Sequence, residues 1–411
     1  MLARPRFRAA IVRLGSLTIG VALLLAAAIT SAAAATSPAP TAGPDSERSG
    51  VRIEAAAAGE TAEAASARVA QMSTRERASS VVMGHVPTTD AGALRAYMQT
   101  AGIGGFILMG ANIPGSEAEL RGVTAALTID PALPPLIAID QEGGDVSRLP
   151  WDEFPSSLEL KSAAPETAAA AFAGRGALVD RAGIGVNFGV VADFTDDPGS
   201  FIYRRSLGTN AADSSARVGA AVTGEAPFAA STLKHFPGHG AAPGDSHAGI
   251  PSTGMPLEQW RASEALPFAA GIDAGAPALM FGHLAYTAVD AAPATLSPEW
   301  HRIAREDLGF TGLAVTDDLG MLQSSGIPAY QDPVANAVTA IAAGNDMVLA
   351  VVLSTPDTAP RMVEGIVAAI ENGALPAQRL QEAATRVTEL RLNVGAESGR
   401  FVPCPACAPA Q

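Results

Sequence analysis

The sequence predicts an α/β fold, a single TIM-like (β/α)8 barrel, from three observations. Eight short apolar runs follow one another along the chain, helix-like segments separate most of them, and glycines or prolines mark many of the joins. Buried strands that alternate with helices favour a closed parallel barrel. The predicted strands are residues 80–83, 105–109, 136–140, 185–191, 232–236, 279–283, 313–317 and 346–352.

Helices are predicted between the strands from apolar residues that recur with a helical period. A last amphipathic helix over residues 376–392 is expected to pack on the outside of the barrel. The clearest intervening segments are residues 91–100, 117–127, 258–274 and 335–343.

The N-terminus has the pattern of an export signal over residues 1–35. Four arginines precede an apolar core at residues 14–29, and small residues at 31–35 offer cleavage sites. The mature protein is therefore expected to be secreted or extracytoplasmic, without a stable membrane anchor. An uncleaved anchor is the alternative, because the apolar run approaches membrane-spanning length.

The rest of the chain divides by composition. Residues 36–66 are rich in Ala, Pro, Thr, Ser and Gly and are predicted to be a disordered linker. Residues 67–395 are long enough for one large domain, and residues 396–411 form a Pro-rich tail with Cys404 and Cys407, either bonded locally or free.

The formal charge of the chain argues against nucleic acid as a partner. It is −14 overall, and −18 (23 basic against 41 acidic residues) without the four arginines of the signal. The acidic residues are scattered, which is typical of a soluble surface. We expect a monomer.

The densest set of chemically active residues is KHFPGHG at residues 234–240, followed by DSH at residues 245–247. Lys234 is one of only two lysines in the chain, and four of the six histidines lie between residues 235 and 283. Groups that titrate near neutral pH suit proton transfer. The alternative is a zinc site, since His235 and His239 are four residues apart. Pro237 lies between them and prevents a shared helix, so neither a metal nor another cofactor is expected.

Polar residues end several predicted strands. The carboxyl ends of barrel strands are where chemistry takes place, whereas any single one of these residues could simply cap the next helix. Five of them together favour an active site: Asp140, Lys234, His235, His283 and Asp317.

Further segments share their order and residues with one known family. They are IDQEGG at residues 139–144 with Arg148, residues 187–193, RSLG at residues 205–208, and VTDDL at residues 315–319 with Met321. With the KHFPGHG and DSH motifs, they resemble the β-N-acetylhexosaminidase branch of glycoside hydrolase family 3 over roughly residues 75–355. The chain departs from the family pattern at Asp145, Leu207 and Gly189–Val190, and Asp145 would alter the electrostatics of the sugar subsite.

The resemblance implies a set of roles. Asp317 would be the nucleophile, with Asp318 as the alternative, and His247 would be the acid/base, oriented by Asp245. The three glycines between residues 238 and 244 would let this loop move. The substrate would be held by Asp140, Arg148, Arg205, Lys234 and His235, whereas His239 and His283 would only support the pocket.

The expected function is that of an exo-acting, retaining β-N-acetylhexosaminidase that releases terminal β-linked N-acetylglucosamine from cell-wall or chitin-derived glycans. Three alternatives remain at this point: a β-glucosidase of the same family, an N-acetylglucosaminide phosphorylase, and a nonenzymatic exported sugar-binding protein. The motifs of a serine-hydrolase elbow, a dinucleotide fold and a phosphate loop are absent.

Overall fold

A closed, entirely parallel barrel of eight strands forms the centre of the computed structural model, which describes residues 59–397. This confirms the predicted fold, and each barrel strand overlaps one of the predicted runs. The strands are β1 (Val82–Gly84), β2 (Gly105–Leu108), β3 (Leu136–Ile139), β4 (Val186–Val191), β5 (Ala230–Phe236), β7 (Ala278–Phe281), β9 (Leu313–Asp318) and β10 (Met347–Leu349). Two further short strands, β6 (Ser252–Thr253) and β8 (Ala285–Tyr286), pair separately.

Helices alternate with the barrel strands. The bounds are α1 (residues 59–71), α2 (Thr74–Ser80), α3 (Ala91–Ala101), α4 (Glu117–Leu127), α5 (Ser157–Leu160), α6 (Pro165–Arg181), α7 (Ala211–Glu225), α8 (Leu257–Ala262), α9 (Ala265–Asp273), α10 (Pro298–Arg302), α11 (Leu319–Ser324), α12 (Pro333–Ala343), α13 (Thr358–Glu371) and α14 (Ala377–Glu397). No helix among the described residues combines the length and apolarity needed to cross a bilayer.

Three boundaries differ from the sequence-based expectation. The single helix expected over residues 258–274 is two helices, because Pro267 is compatible only with the first turn of a helix and the chain must restart just before it. The last helix continues to Glu397. Helix α1 starts inside the predicted linker, and its fully buried residues Ala65 and Val69 give it an apolar face. The predicted signal at 1–35, most of the linker and the tail beyond residue 397 lie outside the described residues.

The strand register brings the polar strand ends to one rim of the barrel. Leu108 is level with Ile139, Val191 with Lys234, and Phe281 with Thr316. Residues that end or follow these strands therefore face a common space, although they come from segments far apart in the chain.

Aromatic packing fixes the end of β5, which leads into the KHFPGHG loop. Phe236 is fully buried and makes edge-to-face contacts with Trp260, Phe268, Phe281 and Trp300, with ring centroids 5.0–5.8 Å apart. Such contacts add to the burial energy of the rings. The backbone next to Lys234 and His235 is thus held on a rigid core.

Candidate active site

A cavity of about 430 Å³ opens at the carboxyl ends of the strands. Seven of the eight residues predicted for the site line it, and Asp245 joins it through a hydrogen bond to His247. The lining residues from the prediction are Asp140, Arg148, Arg205, Lys234, His235, His247 and Asp317.

Asp140 joins two cations on the floor of the cavity. Its Oδ1 accepts a hydrogen bond from Lys234 Nζ at 3.0 Å, and its Oδ2 accepts one from Arg148 Nη2 at 3.1 Å. Burial opposes ionisation of Asp140, but the two neighbouring positive charges outweigh it and lower its pKa to about 2. The three groups form a fixed, charged surface suited to hydrogen-bonding sugar hydroxyls.

Glu142 is a site residue that the sequence reasoning did not single out. It is fully buried, accepts two hydrogen bonds from Arg205 at 2.7 and 3.0 Å, and lies 2.7 Å from Lys234 Nζ. Burial alone would raise its pKa, but Arg205 and Lys234 lower it to about 2. Glu142 belongs to the predicted IDQEGG motif, yet nothing local to that motif indicates its partner 63 positions away.

Gln141 holds the loop that displays Arg148. Its side-chain oxygen accepts hydrogen bonds from the backbone N–H groups of Arg148 and Leu149, both at 2.9 Å. Its amide donates to Ser147 Oγ at 2.5 Å and to Asp152 Oδ2 at 2.6 Å. Because the oxygen and the nitrogen of the Gln141 amide both have hydrogen-bond partners, they fix the conformation of the loop over residues 141–149, which carries Arg148.

Asp193 orients His235 and was likewise not predicted as a site residue. Its carboxylate accepts hydrogen bonds from His235 Nδ1 at 2.7 Å and from the backbone N–H of His239 at 2.7 Å. Burial first, and then the charge of Arg205, hold the pKa of His235 well below its usual value. His235 is therefore neutral: Nδ1 donates to Asp193, and Nε2 accepts from Arg205 Nη2 at 3.3 Å.

The adjacent carboxylates Asp317 and Asp318 have different surroundings. Asp318 accepts hydrogen bonds from the backbone N–H groups of Gly320, Val351 and Val352 at 2.7–3.0 Å, so its oxygens are occupied. Asp317 lines the cavity, and among the described residues its carboxylate accepts one hydrogen bond, from the N–H of Asp318 at 2.8 Å.

Asp317 is ionised at neutral pH. Burial acts to raise its pKa, but the positive charges that His235 and His283 carry when protonated, the N–H of Asp318 and the charge of Lys234 outweigh burial and lower it. An ionised carboxylate with a free face in the cavity can act as a nucleophile.

His247 and Asp245 form a pair at the mouth of the cavity. Asp245 Oδ1 accepts hydrogen bonds from His247 Nδ1 at 2.7 Å and from its backbone N–H at 2.9 Å. The His247 ring also meets the edge of Phe201, with centroids 5.4 Å apart. The imidazole is 57% exposed and has Nε2 available for proton transfer.

The backbone of the loop between His235 and His247 is held by contacts with Tyr286 and Phe194. Gly238 has a φ of +128°, and its carbonyl accepts a hydrogen bond from Tyr286 at 2.6 Å. A Cβ on Gly240 would lie 1.7 Å from the carbonyl oxygen of Phe194. The backbone conformation at Gly238 and the close packing at Gly240 thus explain why these two residues are glycines. Movement of the loop remains a prediction.

The remaining histidines of the motif region contact protein groups. His283 lies between Thr295 Oγ1 and the carbonyl of Asp318, at 2.9 and 2.8 Å. His235 lies in strand β5 and His239 begins a 3-10 helix, so they do not share a helical face. Within residues 59–397, no three His, Cys, Asp or Glu side chains are grouped to hold a metal ion.

Asp145, the departure in the sugar-binding segment, is neutralised by its neighbour. Arg204 donates two hydrogen bonds to its carboxylate at 2.6 and 2.9 Å, and both side chains are about half exposed. The extra negative charge is therefore paired at the rim instead of acting on Asp140.

Comparisons with known proteins agree with this arrangement. A family model described as "Glycosyl hydrolase family 3 N terminal domain" matches residues 67–390. A β-hexosaminidase of Xanthomonas oryzae pv. oryzae is 34% identical over 247 residues, which are 56% of this chain and 72% of that protein. A β-hexosaminidase of Methylococcus capsulatus is 31% identical over 280 residues, 66% of this chain and 82% of that protein.

Solved structures show the same likeness. A family 3 β-N-acetylglucosaminidase from Paenibacillus sp. has a TM-score of 0.74 at 29% identity, and the match covers 81% of this chain and 64% of that one. The present chain thus spans just under two thirds of the Paenibacillus protein. A β-N-acetylhexosaminidase from Beutenbergia cavernae has a TM-score of 0.68 at 28% identity, covering 77% of this chain and 98% of that one.

Proposed function

The chain belongs to glycoside hydrolase family 3, and from this premise we propose a β-N-acetylhexosaminidase that removes terminal β-linked N-acetylglucosamine with retention of configuration. One observation carries the proposal. An ionised, accessible Asp317 and a His247–Asp245 pair border the same cavity, and they supply the nucleophile and the proton-transfer group that a two-step hydrolysis needs.

In the first step, Asp317 attacks the anomeric carbon while His247 Nε2 gives its proton to the leaving oxygen. This produces a glycosyl-enzyme and a free alcohol. In the second step, His247 takes a proton from water, and the resulting hydroxide displaces Asp317 from the anomeric carbon. Asp318 is unsuited to the attack, because three backbone N–H groups occupy its carboxylate.

Asp245 keeps the proton on His247 Nδ1 and so leaves Nε2 to exchange protons with the substrate. A histidine is suited to this exchange because the pKa of an unperturbed imidazole, near 6.5, lies close to neutral pH. A carboxylic acid on such an exposed loop would need burial to raise its pKa that far.

The terminal sugar is held by the charged floor of the cavity. Asp140, Arg148 and Lys234 form one hydrogen-bonded group, and Arg205 and His235 form a second beside it. Because these polar groups together bind one sugar at the end of a glycan, they favour the removal of single terminal sugars. The natural substrates we propose are fragments of the cell wall or of chitin.

The deciding assay compares chromogenic β-N-acetylglucosaminide with the matching β-glucoside, with and without phosphate. We expect a higher kcat/KM on the N-acetylglucosaminide and no need for phosphate. Preference for the glucoside would refute the proposed branch of the family, and strong stimulation by phosphate would show a phosphorylase. Binding of the sugar without turnover would show a sugar-binding protein.

We also propose that the protein is exported and acts as a monomer. The support is the basic and apolar pattern of residues 1–35 and the scattered acidic charge. Sequencing the N-terminus of protein recovered from outside the cytoplasm should show cleavage near residues 31–35, and sedimentation should give the mass of one chain. An intact N-terminus or a membrane-bound product would contradict export in soluble form.

A further inference from the structure

A buried carboxyl group lies against the loop that carries His247. Glu264 is the residue just before α9, and it is only 5% exposed. Its Oε2 is shielded from solvent and has no hydrogen-bond partner among the residues that the structure describes. Burying a carboxylate without donors is costly, so a carboxyl group in this position is expected to keep its proton. Groups with such perturbed ionisation are concentrated at functional sites.

Glu264 meets the loop at Gly238, just after the rigid end of β5. A Cβ built on Gly238 would lie 2.9 Å from Glu264 Oε2 and 3.2 Å from Tyr286 Oη. The two side chains therefore reach the same point of the backbone. From this point the chain continues to His247, so whatever holds Gly238 also helps to hold the loop with the acid/base group.

Tyr286 ties Gly238 to the body of the protein through one hydrogen bond. Tyr286 is fully buried in β8, and its hydroxyl donates to the carbonyl of Gly238 at 2.6 Å. A phenol has a single hydrogen to donate. While Glu264 is neutral, the carbonyl of Gly238 keeps this hydrogen. An ionised carboxylate is a stronger acceptor than a carbonyl, so a charged Glu264 competes for the same hydrogen.

The surroundings of Glu264 oppose its ionisation near neutral pH. Burial first, and then the negative charge of Asp193, raise the pKa of Glu264 to about 8. Burial and the charges of Glu264 and Asp193 raise the pKa of Tyr286 well above its usual value. Tyr286 therefore still has its hydrogen when Glu264 ionises, and it can transfer this hydrogen bond from Gly238 to the carboxylate.

The basic groups on the neighbouring segments are bonded to groups other than Glu264. They are Arg205 and His239, which contact Glu142 and Asp193, Arg217 on α7, which donates to backbone carbonyls, and Arg261 on α8, which donates to Asp307. Within the described part of the chain, Tyr286 is thus the donor best placed to answer a charge on Glu264.

We propose that Glu264 is a positioning residue for the acid/base loop: the neutral form leaves Tyr286 bonded to Gly238, and the ionised form takes over this hydrogen bond and releases the loop. The inference rests on the proposed function, in which His247 on this loop is the acid/base. It adds a proton-dependent event, separate from the titration of His247, that limits the enzyme at alkaline pH.

The test compares Glu264→Gln with the wild type on the disaccharide of two β-linked N-acetylglucosamines, from pH 6 to pH 9.5. Glutamine keeps the shape of the side chain and does not ionise. At pH 9, one unit above a pKa of about 8, roughly ten Glu264 side chains are ionised for each neutral one. The ratio of kcat/KM, variant over wild type, should stay within about twofold of one below pH 7 and rise to about tenfold at pH 9. Because both proteins contain His247, its own titration cancels in this ratio.

The matched control is Glu225→Gln. Glu225 is fully buried, and burial raises its pKa to about 8 as well, but its carboxyl group accepts a hydrogen bond from Asn187 instead of lying against the loop. For both glutamates the stabilisation is complete below pH 4.5 and is lost as the pH rises through 8. Both variants should therefore have a higher Tm than the wild type above pH 8. Only Glu264→Gln should change the pH profile of kcat/KM.

Hydrogen exchange follows the loop without any need for turnover. In peptides that span residues 238–247, the wild type and Glu264→Gln should exchange equally at pH 6.5, and the wild type should exchange faster at pH 9. Tyr286→Phe lacks the hydrogen that holds Gly238, so its loop should exchange fast at both pH values. It should also slow disaccharide cleavage more than the first step with a nitrophenyl glycoside, because only the disaccharide needs His247 as an acid.

The outcomes separate this inference from the proposed function. A ratio that stays flat up to pH 9.5, the same rise for Glu225→Gln, or equal exchange of the loop in wild type and Glu264→Gln at pH 9 would overturn the role of Glu264. Absence of activity on every N-acetylglucosaminide would refute the proposed function, and the exchange data would still decide whether Glu264 controls the loop.

Discussion

The buried ion cluster around Glu142 gives the most quantitative prediction, through the substitution Glu142→Gln. Glu142 has no exposed side-chain surface and neutralises both Arg205 and Lys234 at 2.7 Å. Glutamine keeps the shape but removes the charge and turns an N–H₂ group toward a cation. Removing one partner of a buried ion pair costs about 3–5 kcal/mol, because it leaves the other charges uncompensated.

This cost sets the expected change in melting temperature. With an unfolding entropy of about 2.1 cal/mol/K per residue, a domain of roughly 340 residues loses about 4–7 °C in Tm for 3–5 kcal/mol. The lowered pKa of Glu142, about 2 against 4.5, has the same direction, because the ionised carboxylate stabilises the folded protein. That contribution is fully present above pH 4.5 and is lost as the pH falls toward 2, so the difference between wild type and variant should narrow in acid.

The measurement is differential scanning calorimetry at pH 6.5 and at steps down to pH 3, with kcat/KM on the chromogenic substrate in parallel. Asp145→Asn is the matched control, because Asp145 makes the same two-bond contact with Arg204 at the surface. An exposed pair contributes about 1 kcal/mol or less, hence a shift under about 1.5 °C. Equal shifts for the two variants, or a shift below 1 °C for Glu142→Gln, would refute the argument that burial gives this ion pair its importance.

The remaining predictions concern the reaction. Asp317→Asn should abolish turnover, and a slow 2-fluoro sugar should label Asp317 covalently; a label on Asp318 or an inverted product would contradict the assignment. His247→Ala should slow cleavage of a natural disaccharide by about 10²–10⁴-fold but spare the first step with a nitrophenolate leaving group, giving a burst of chromophore and rescue by azide. Equal slowing of both substrates without rescue would make His247 structural. Asp245→Asn should give a milder form of the same pattern, because only the orienting hydrogen bond is lost. Activity should survive dialysis against a chelator, and loss that zinc reverses would show a metal site.

Most of the barrel could be predicted from the sequence because buried segments have a local pattern of apolar residues. Each strand is a short apolar run, since both faces of a parallel barrel strand are covered, and each helix carries a helical period. The same locality explains the errors. The break between α8 and α9 depends on one residue, Pro267. The start of α1 within the predicted linker depends on two buried residues, Ala65 and Val69. An average over a sequence window conceals such single residues.

The candidate site could be predicted only in part from local sequence patterns. Motif order pointed to Asp140, Lys234, His247 and Asp317, because these residues end strands or lie in the loop with clustered titratable groups. Glu142 and Asp193 were not predicted as site residues, although both lie within segments that match the family motifs. Their importance comes from partners 63 and 42 positions away, and no local pattern encodes such distances.

The sequence by itself determined where the chain is buried, where it turns and which segments carry reactive groups, since these depend on neighbours within a few residues. Only the tertiary structure shows that Asp317 and Asp318 have different hydrogen-bond partners. The two carboxylates look alike in the sequence, and they become different when the pairing of β10 with β9 brings the N–H groups of Val351 and Val352, which follow β10, onto Asp318. The physical reason is that a carboxylate's role depends on which donors and charges surround it, and here the donors come from the neighbouring strand's end, 33 and 34 positions further along the chain.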